Sequence, residues 1–359
     1  MIKVEIPGKL FIAGEYAVTT PGQPALIFAV NRFVTATITT NLNANIKLTS
    51  DLLGTMELPT ATLANHVLID EWAVVLRGIQ LVQQYLYETG QPLQSFDLTL
   101  TSNLPQANHK LGLGSSGAVL VATLKAVLQL HHLNLSNLEL FKLAALALLT
   151  TPNFKRGSMG DVAVAIYTGL ISYTKFETPA VMTMLEQKLT LHAIITTAWP
   201  RLTINQLTWP VDWQILIGWT QTPASTQTLL KHSAPIAPAL TKLFLTESLV
   251  AFDHLELALQ THDFALWHQA ITMNRLLLDE YTTQAKIPYS TPQLTNLITA
   301  ATALDLPAKI SGAGAGDNGL AFTDDATKIT ALYTAWRAQN IIPLDLQIYQ
   351  AETGDRSWN

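Results

Sequence analysis

The 359-residue chain contains no cysteine. Disulfides, thiolate metal sites and cysteine nucleophiles are therefore excluded, and a reducing compartment is permitted. Charge is scarce as well: Asp, Glu, Lys and Arg together make up 13% of residues, about half the usual share. The formal net charge is −5, with no Lys or Arg blocks and no aromatics interleaved with basic residues, so a nucleic-acid surface has no electrostatic footprint. Hydrophobic residues reach 48%, yet no uninterrupted apolar run approaches the roughly 20 residues that a membrane-spanning helix requires. The first residues, MIKVEIPGKLFIAGEYAV, lack the basic region, apolar segment and cleavage site of a secretory signal. A soluble cytoplasmic protein is expected, with no nucleic-acid or membrane partner and with Thr, Gln and Asn solvating its surface.

What is present reads as α+β, and a chain of this length normally divides into about two domains. Residues 4–6, 10–13 and 33–40 have strand character, the last with Thr and Val alternating. The apolar spacing in 65-NHVLIDEWAVVLRGIQLVQQYLYETG-90 predicts a helix that stops at Gly90, with Pro92 beyond. A strand over 95–100 follows, then helices from about Ser116 and over 137–149, the latter ended by Pro152. Residues 168–176, 192–196 and 214–219 read as strands, and 177–189 as the crossing between domains 1–180 and 181–359. Helical patterns fill 236–260, 263–282 and 293–304; strands are expected at 308–311 and 319–322, before a last helix and strand through Ile348. Sheets backed by helices in two α+β domains account for this order.

The segment 112-GLGSSG-117 stands directly before a long apolar run. Backbone N–H groups approach a phosphate closely only where side chains are absent, and a helix N-terminus adds positive potential. The segment does not fit G-x-x-x-x-G-K-[ST], because no Lys follows Gly117. Gly112, Gly114 and Gly117 match the letters of G-x-G-x-x-G, but the region about twenty residues on, 131-HHLNLSNLEL-140, offers no acidic residue at a strand end. Two readings stand side by side: a phosphate cradle, or a helix capped by the hydroxyls of Ser115 or Ser116.

Company changes the balance. The segments 8-GKLFIAGEYAV-18, 112-GLGSSG-117 and 311-SGAGAGDNG-319 follow the order and spacing of the three motifs of the GHMP small-molecule kinases, which the chain resembles. Within that superfamily, 21-PGQPALI-27, 110-KLGLGSSG-117 and 157-GSMGDVA-163 bring it nearest to bacterial phosphomevalonate kinases; mevalonate kinases more often read G-E-H where this chain has Gly14-Glu15-Tyr16. The resemblance implies an N-terminal domain with the nucleotide loop and a ferredoxin-like C-terminal domain. It also implies ATP- and Mg²⁺-dependent phosphoryl transfer to (R)-5-phosphomevalonate, by a monomer or homodimer, with mevalonate kinase or another GHMP small-molecule kinase as the alternative.

Roles follow from the resemblance residue by residue. Gly112, Leu113, Gly114, Ser115, Ser116 and Gly117 match the phosphate loop, Ser116 matches the hydroxyl near Mg²⁺, and Lys110 the lysine that reaches nucleotide phosphate. Lys9 matches the lysine facing the transferring phosphate, where a cation beside its oxygens is what the chemistry needs. Asp161 matches the aspartate proposed as base and orienting group in mevalonate kinases. Ser158 and Arg156, the latter with Lys155, are candidate acceptor contacts, as are Gly312, Ala313 and Gly314 of the third motif, which continues through Ala315 and Gly316. Relatives often carry Gly where Ala315 stands and Cys where Asn318 stands. His131 and His132, at a helix C-terminus, read as structural. Trp199, Trp209, Trp213 and Trp219 read as packing or pocket wall, and 224-ASTQTLLKH-232 could offer an anion a helix N-terminus with Ser225 and Thr226.

Overall fold

The structure is a computed structural model that describes residues 1–51, 53–68, 71–104, 111–152, 154, 157–222 and 237–351. Its first sheet is organised by one long strand. β2 (Pro24–Thr40) pairs antiparallel with β1 (Ile2–Ala13) over most of its length. Its first part also pairs with β6 (Leu170–Thr174), and its last part with β5 (Phe96–Ser102). A register shift at Pro7/Gly8 in β1 marks the change between the two parts, as proline and a bulge require. The hairpin β3 (Asn45–Ser50) and β4 (Gly54–Pro59) extends one end, with β3 parallel to β5, and β7 (Thr203–Leu207) extends the other beside β6.

Four helices cover this sheet: α1 (Ala73–Glu88), α2 (Ser115–Leu130), α3 (Asn137–Thr150) and α4 (Gly160–Tyr167). Ten consecutive residues of α3, Leu140 through Leu149, are buried, so its apolar character all round reflects a position inside the layer. A capping box of Ser136 and Glu139 starts that helix. α2 packs on β1 and β2, and the glycine segment leads straight into it.

The second sheet is built from β8 (Gln214–Trp219), β9 (Ala308–Ile310), β10 (Asn318–Thr323) and β11 (Ile342–Leu344), in the antiparallel order β11-β8-β10-β9. Fourth, first, third, second is the ferredoxin-like order. Its helices are the antiparallel pair α7 (Pro238–Thr261) and α8 (Phe264–Gln284), then α9 (Pro292–Thr302) and α10 (Ile329–Ala338). Past β11 the chain returns to the first sheet, where Ile348 bridges Val30. The expected α+β class and two-sheet organisation are what the fold contains.

Two local expectations differ. Residues 192–196, read as strand from their Ile-Ile-Thr run, form helix α6 (Leu191–Thr196). Its N-terminus is capped by Thr190, and the Glu88 carboxylate at the end of α1 accepts from the N–H groups of Leu191 and His192 at 2.8 and 3.1 Å. A distant carboxylate outweighs local β-propensity there. The interval 177–189, read as the domain crossing, contains helix α5 (Thr178–Glu186), and β7 downstream still pairs with β6. The chain passes from the first sheet to the second between Leu207 and Gln214.

The tryptophans pack as the sequence suggests. Trp209, Trp213, Trp267 and Phe322 form a cluster with ring centroids 5.2–6.1 Å apart, joining the passage between the sheets to α8 and β10. Trp199 lies edge-on to Phe176 at 4.6 Å. His131 accepts from the Gln94 N–H through Nε2 and approaches the Val127 carbonyl through Nδ1, a neutral structural histidine. Among the described residues no helix is long and apolar enough to cross a membrane.

Candidate active site

Helix α2 begins without a side-chain cap. Gly114 occupies the N-cap position in the left-handed region (φ 75°), and Ser115 and Ser116 are the first two helical residues. The capped-helix reading therefore does not describe this turn: the hydroxyls sit one and two places too late to act as N-cap. The first N–H groups of the helix have no partner within it. Ser116 is exposed and Ser115 half-buried, which leaves an open, electropositive helix start.

The three glycines of the loop each make room for a different charged side chain. A Cβ on Gly112 would lie 2.5 Å from the Asp317 carboxyl group, one on Gly114 would lie 2.9 Å from the Lys9 stem, and one on Gly117 would lie 2.7 Å from Asp161 Oδ2. Gly112 also has φ 67°, so two constraints meet there. The loop is pinned from below: the Leu113 carbonyl accepts from the Lys9 N–H at 2.9 Å, and the Leu113 side chain is buried. Lys9 Nζ donates to the Gly112 carbonyl at 3.2 Å.

Lys9 on β1 and Asp161 in the first turn of α4 thus meet at the loop from two elements. Both keep part of their surface open. Burial lowers the Lys9 pKa from the usual lysine value, while the charges of Asp161, Asp317 and Glu15 pull it back up. Burial raises the Asp161 pKa, opposed by Lys9 and by the N–H groups of Val162 and of Asp161 itself. The helix carrying Asp161 is set close to the sheet because residue 160 is glycine: a Cβ there would lie 2.5 Å from Ile27 Cδ1. Behind it, the buried Tyr173 hydroxyl donates to the Ser158 carbonyl at 2.7 Å. The Ser158 hydroxyl accepts from the Gly160 N–H at 3.3 Å, so Ser158 shapes the turn into α4.

The third motif reaches the same place from the second sheet. Ser311 Oγ accepts from the Phe11 N–H at 3.0 Å and donates to the Phe11 carbonyl at 2.9 Å, bridging β9 to β1. Gly312 N–H donates to Glu15 Oε1 at 3.2 Å, and the Tyr16 hydroxyl donates to the Ala313 carbonyl at 2.6 Å. A Cβ on Gly314 would lie 2.3 Å from Tyr289 Cδ2. Asn318 Nδ2 donates to the Leu111 carbonyl, directly before the glycine loop. Ala315 has φ 63°, so the position where relatives often have Gly is one that favours Gly.

Sequence reasoning missed four of these groups. Asp317 stands in the quoted motif but was given no role, and neither was Glu15. Glu15 forms a buried ion pair of 2.5 Å with Lys309, whose ammonium also donates to the Ile310 carbonyl at 2.7 Å. Tyr16 and Asn318 were noted only as departures. The available signal was Lys309 alone inside the apolar strand β9 and Glu15 in the turn just past the apolar end of β1, in a chain with few charges. Lys110, Arg156 and Lys155, and the segment 224–232 with Ser225 and Thr226, lie outside the described residues.

A helix start with unused N–H groups, two open hydroxyls, one cation and two carboxylates can hold a polyphosphate and neutralise charge moving along it. Comparison with known proteins is consistent with that chemistry. The models of the GHMP kinases N terminal domain and the GHMP kinases C terminal match residues 73–169 and 255–342. The chain is 32% identical to a phosphomevalonate kinase of Streptomyces sp. (strain CL190), over 95% of both chains. In structure it is similar to the Lin0012 protein of Listeria innocua, with TM-score 0.87 and 30% identity, covering 97% of this chain and 98% of that one. It is also similar to Streptococcus pneumoniae phosphomevalonate kinase in complex with phosphomevalonate and AMPPNP, with TM-score 0.85 and 29% identity over 97% and 100%.

Proposed function

The chain belongs to the GHMP kinases, and from that premise we propose that it transfers the γ-phosphoryl group of ATP to the phosphate of (R)-5-phosphomevalonate, giving (R)-5-diphosphomevalonate and ADP. The observation that carries this reading is the convergence of Lys9, Asp161 and Asp317 on the three loop glycines, beside the open N-terminus of α2. End-to-end similarity to phosphomevalonate kinases supports the acceptor.

An acceptor phosphate oxygen attacks the γ-phosphorus, the bond to the β,γ-bridging oxygen breaks, and ADP leaves with that electron pair. Because a phosphate monoester has its second pKa near 6, the attacking oxygen is already largely deprotonated at neutral pH. Asp161 therefore orients rather than abstracts. Lys9 faces the transferring group and balances charge on its equatorial oxygens, and the N–H groups of the α2 start hold the nucleotide phosphates. Gly112 through Gly117 form the cradle, with Lys110 as an added phosphate contact. Ser158, Arg156 and the turn Gly312–Gly314 are assigned to the acceptor side.

Among the described residues no three His, Asp or Glu side chains gather as a metal site. That fits Mg²⁺, which is usually held by one or two protein oxygens together with substrate phosphates and water. Ser116, with Asp161, would hold it, and the ion when bound neutralises phosphate charge. The phosphorylated small-molecule substrates of this reaction support a cytoplasmic enzyme.

The test is ADP release from Mg-ATP with mevalonate, phosphomevalonate or diphosphomevalonate in separate reactions. Turnover is expected with phosphomevalonate. A preference for mevalonate would replace the acceptor, and no turnover with any of the three would refute the assignment.

A further inference from the structure

The turn 312–317 borders Lys9 at both ends. Ser311, just before it, is bonded to Phe11, whose ring centre lies 5.3 Å from the Lys9 ammonium group. Asp317, at the other end, rests against Gly112, whose carbonyl accepts from that same ammonium group. Within the turn the N–H groups of Gly312, Ala315 and Asp317 are taken by Glu15 Oε1 and by the carbonyls of Tyr289 and Thr222. Those of Ala313, Gly314 and Gly316 have no acceptor among the described residues, although Gly314 and Gly316 are buried. Buried N–H groups without a protein partner are rare, and a turn that presents several of them suits an anion.

The Ala313 carbonyl is tied off, since it accepts from the Tyr16 hydroxyl at 2.6 Å. A peptide unit is planar and trans, so its C=O and N–H point in opposite directions. The bond that draws the Ala313 carbonyl to Tyr16 therefore aims the Gly314 N–H the other way. Glycine at 314 accepts φ of either sign, so the local chain permits this peptide to flip. Tyr16 itself is fixed. Its φ of 62° throws the side chain across to the second half, where the ring centre lies 6.2 Å from that of Tyr281 and 6.1 Å from that of Tyr289. Burial, with Glu15 and Tyr281 nearby, holds the hydroxyl above the usual phenol range, so it remains a proton donor.

We propose that Tyr16 is a positioning residue for the acceptor: it locks the 313–314 peptide so that the Gly314 N–H, with those of Ala313 and Gly316, holds the acceptor phosphate. This rests on the phosphomevalonate reading above. The nucleotide phosphates have the start of α2, so the acceptor phosphate needs donors of its own. A flipped peptide would set a carbonyl oxygen against that phosphate instead.

Tyr16→Phe removes the hydroxyl and keeps the ring. In steady-state assays it should raise the KM for phosphomevalonate about tenfold, with kcat within about threefold and the KM for ATP within about twofold of wild type. Titration calorimetry should show the same split, with phosphomevalonate bound about tenfold more weakly and mevalonate, which lacks the phosphate, within about twofold of wild type. Circular dichroism and thermal unfolding show that the variant is folded; a purely structural role would lower stability and leave KM in place. An unchanged KM in an enzyme that turns phosphomevalonate over would overturn this inference and leave the function standing. Equal weakening of both acceptors would move the N–H groups to the part the two share, and a fall in kcat alone would move them to the transferring phosphoryl group; either result overturns the inference. A wild-type enzyme that does not bind phosphomevalonate would overturn the function and this inference together.

Discussion

The segments 112–117 and 311–319 share a composition of glycine and small residues but use their backbone groups differently. In the first, the N–H groups at the start of α2 have no partner in the helix and the two serine hydroxyls stay open. In the second, protein atoms take up much of what the turn offers. Gly312 donates to Glu15, the Ala313 carbonyl accepts from Tyr16, and Ala315 donates to the Tyr289 carbonyl at 2.6 Å. Asp317 donates to the Thr222 carbonyl at 2.7 Å, and Asn318 holds the Leu111 carbonyl. Glycine in the first segment makes room for charge. In the second it lets one sheet close on the other, and what reaches the loop from there is the side chain of Asp317 and that of Asn318.

This contrast can be broken by substitution. The largest effect is expected from Lys309→Met, which leaves the Glu15 carboxylate buried beside an apolar side chain and should destabilise the fold by about 3–5 kcal/mol, read by denaturant unfolding. Lys9→Ala and Asp161→Asn should do the reverse. Each is expected to lower turnover at least about a hundredfold, equivalent to roughly 2.7 kcal/mol of barrier, with the unfolding midpoint nearly unchanged; near-wild-type turnover in both would remove their assigned roles.

The pH profile of kcat/KM sharpens the same point. Protonated Lys9 is lost as pH rises through a pKa that burial has lowered, so the alkaline limb should lie below the ordinary lysine range. Ionised Asp161 is lost as pH falls through a pKa that burial has raised, so the acid limb should lie above the ordinary aspartate range. Lys9→Arg, always protonated, should keep whatever activity it has on the alkaline side. The smallest effect is expected at Ala315, where φ is 63°. Ala315→Gly should stabilise the protein by about 1 kcal/mol or less, the left-handed strain offset in part by glycine's greater freedom when unfolded.

Much of the candidate site was legible because motif residues carry their chemistry locally. Lys9, Gly112–Gly117 and Asp161 could be named from spacing and resemblance, and the structure brings them together. The partners from the second half were not. The Asp317 carboxyl group stands 205 residues from the glycine it abuts, and Lys309 stands 294 from Glu15. No local pattern encodes such a distance. The hairpin β3–β4 and the strand β7 were also unread: β7 is largely exposed, so it lacks the alternation that marks a half-buried strand.

By itself the sequence determined that the chain builds helix-backed sheets, that a glycine loop opens α2, and that chemistry must come from a few lysines, acids and hydroxyls. Periodicity, turn chemistry and composition act over short stretches, and they can be read there. Tertiary structure alone decided that residues 191–196 are helix, that the first sheet continues through Leu207, and that Glu15, Tyr16 and Asn318 clasp the two halves around the loop. Each depends on burial and on hydrogen bonds between residues far apart in the chain, and those energies exist only once the chain has closed on itself.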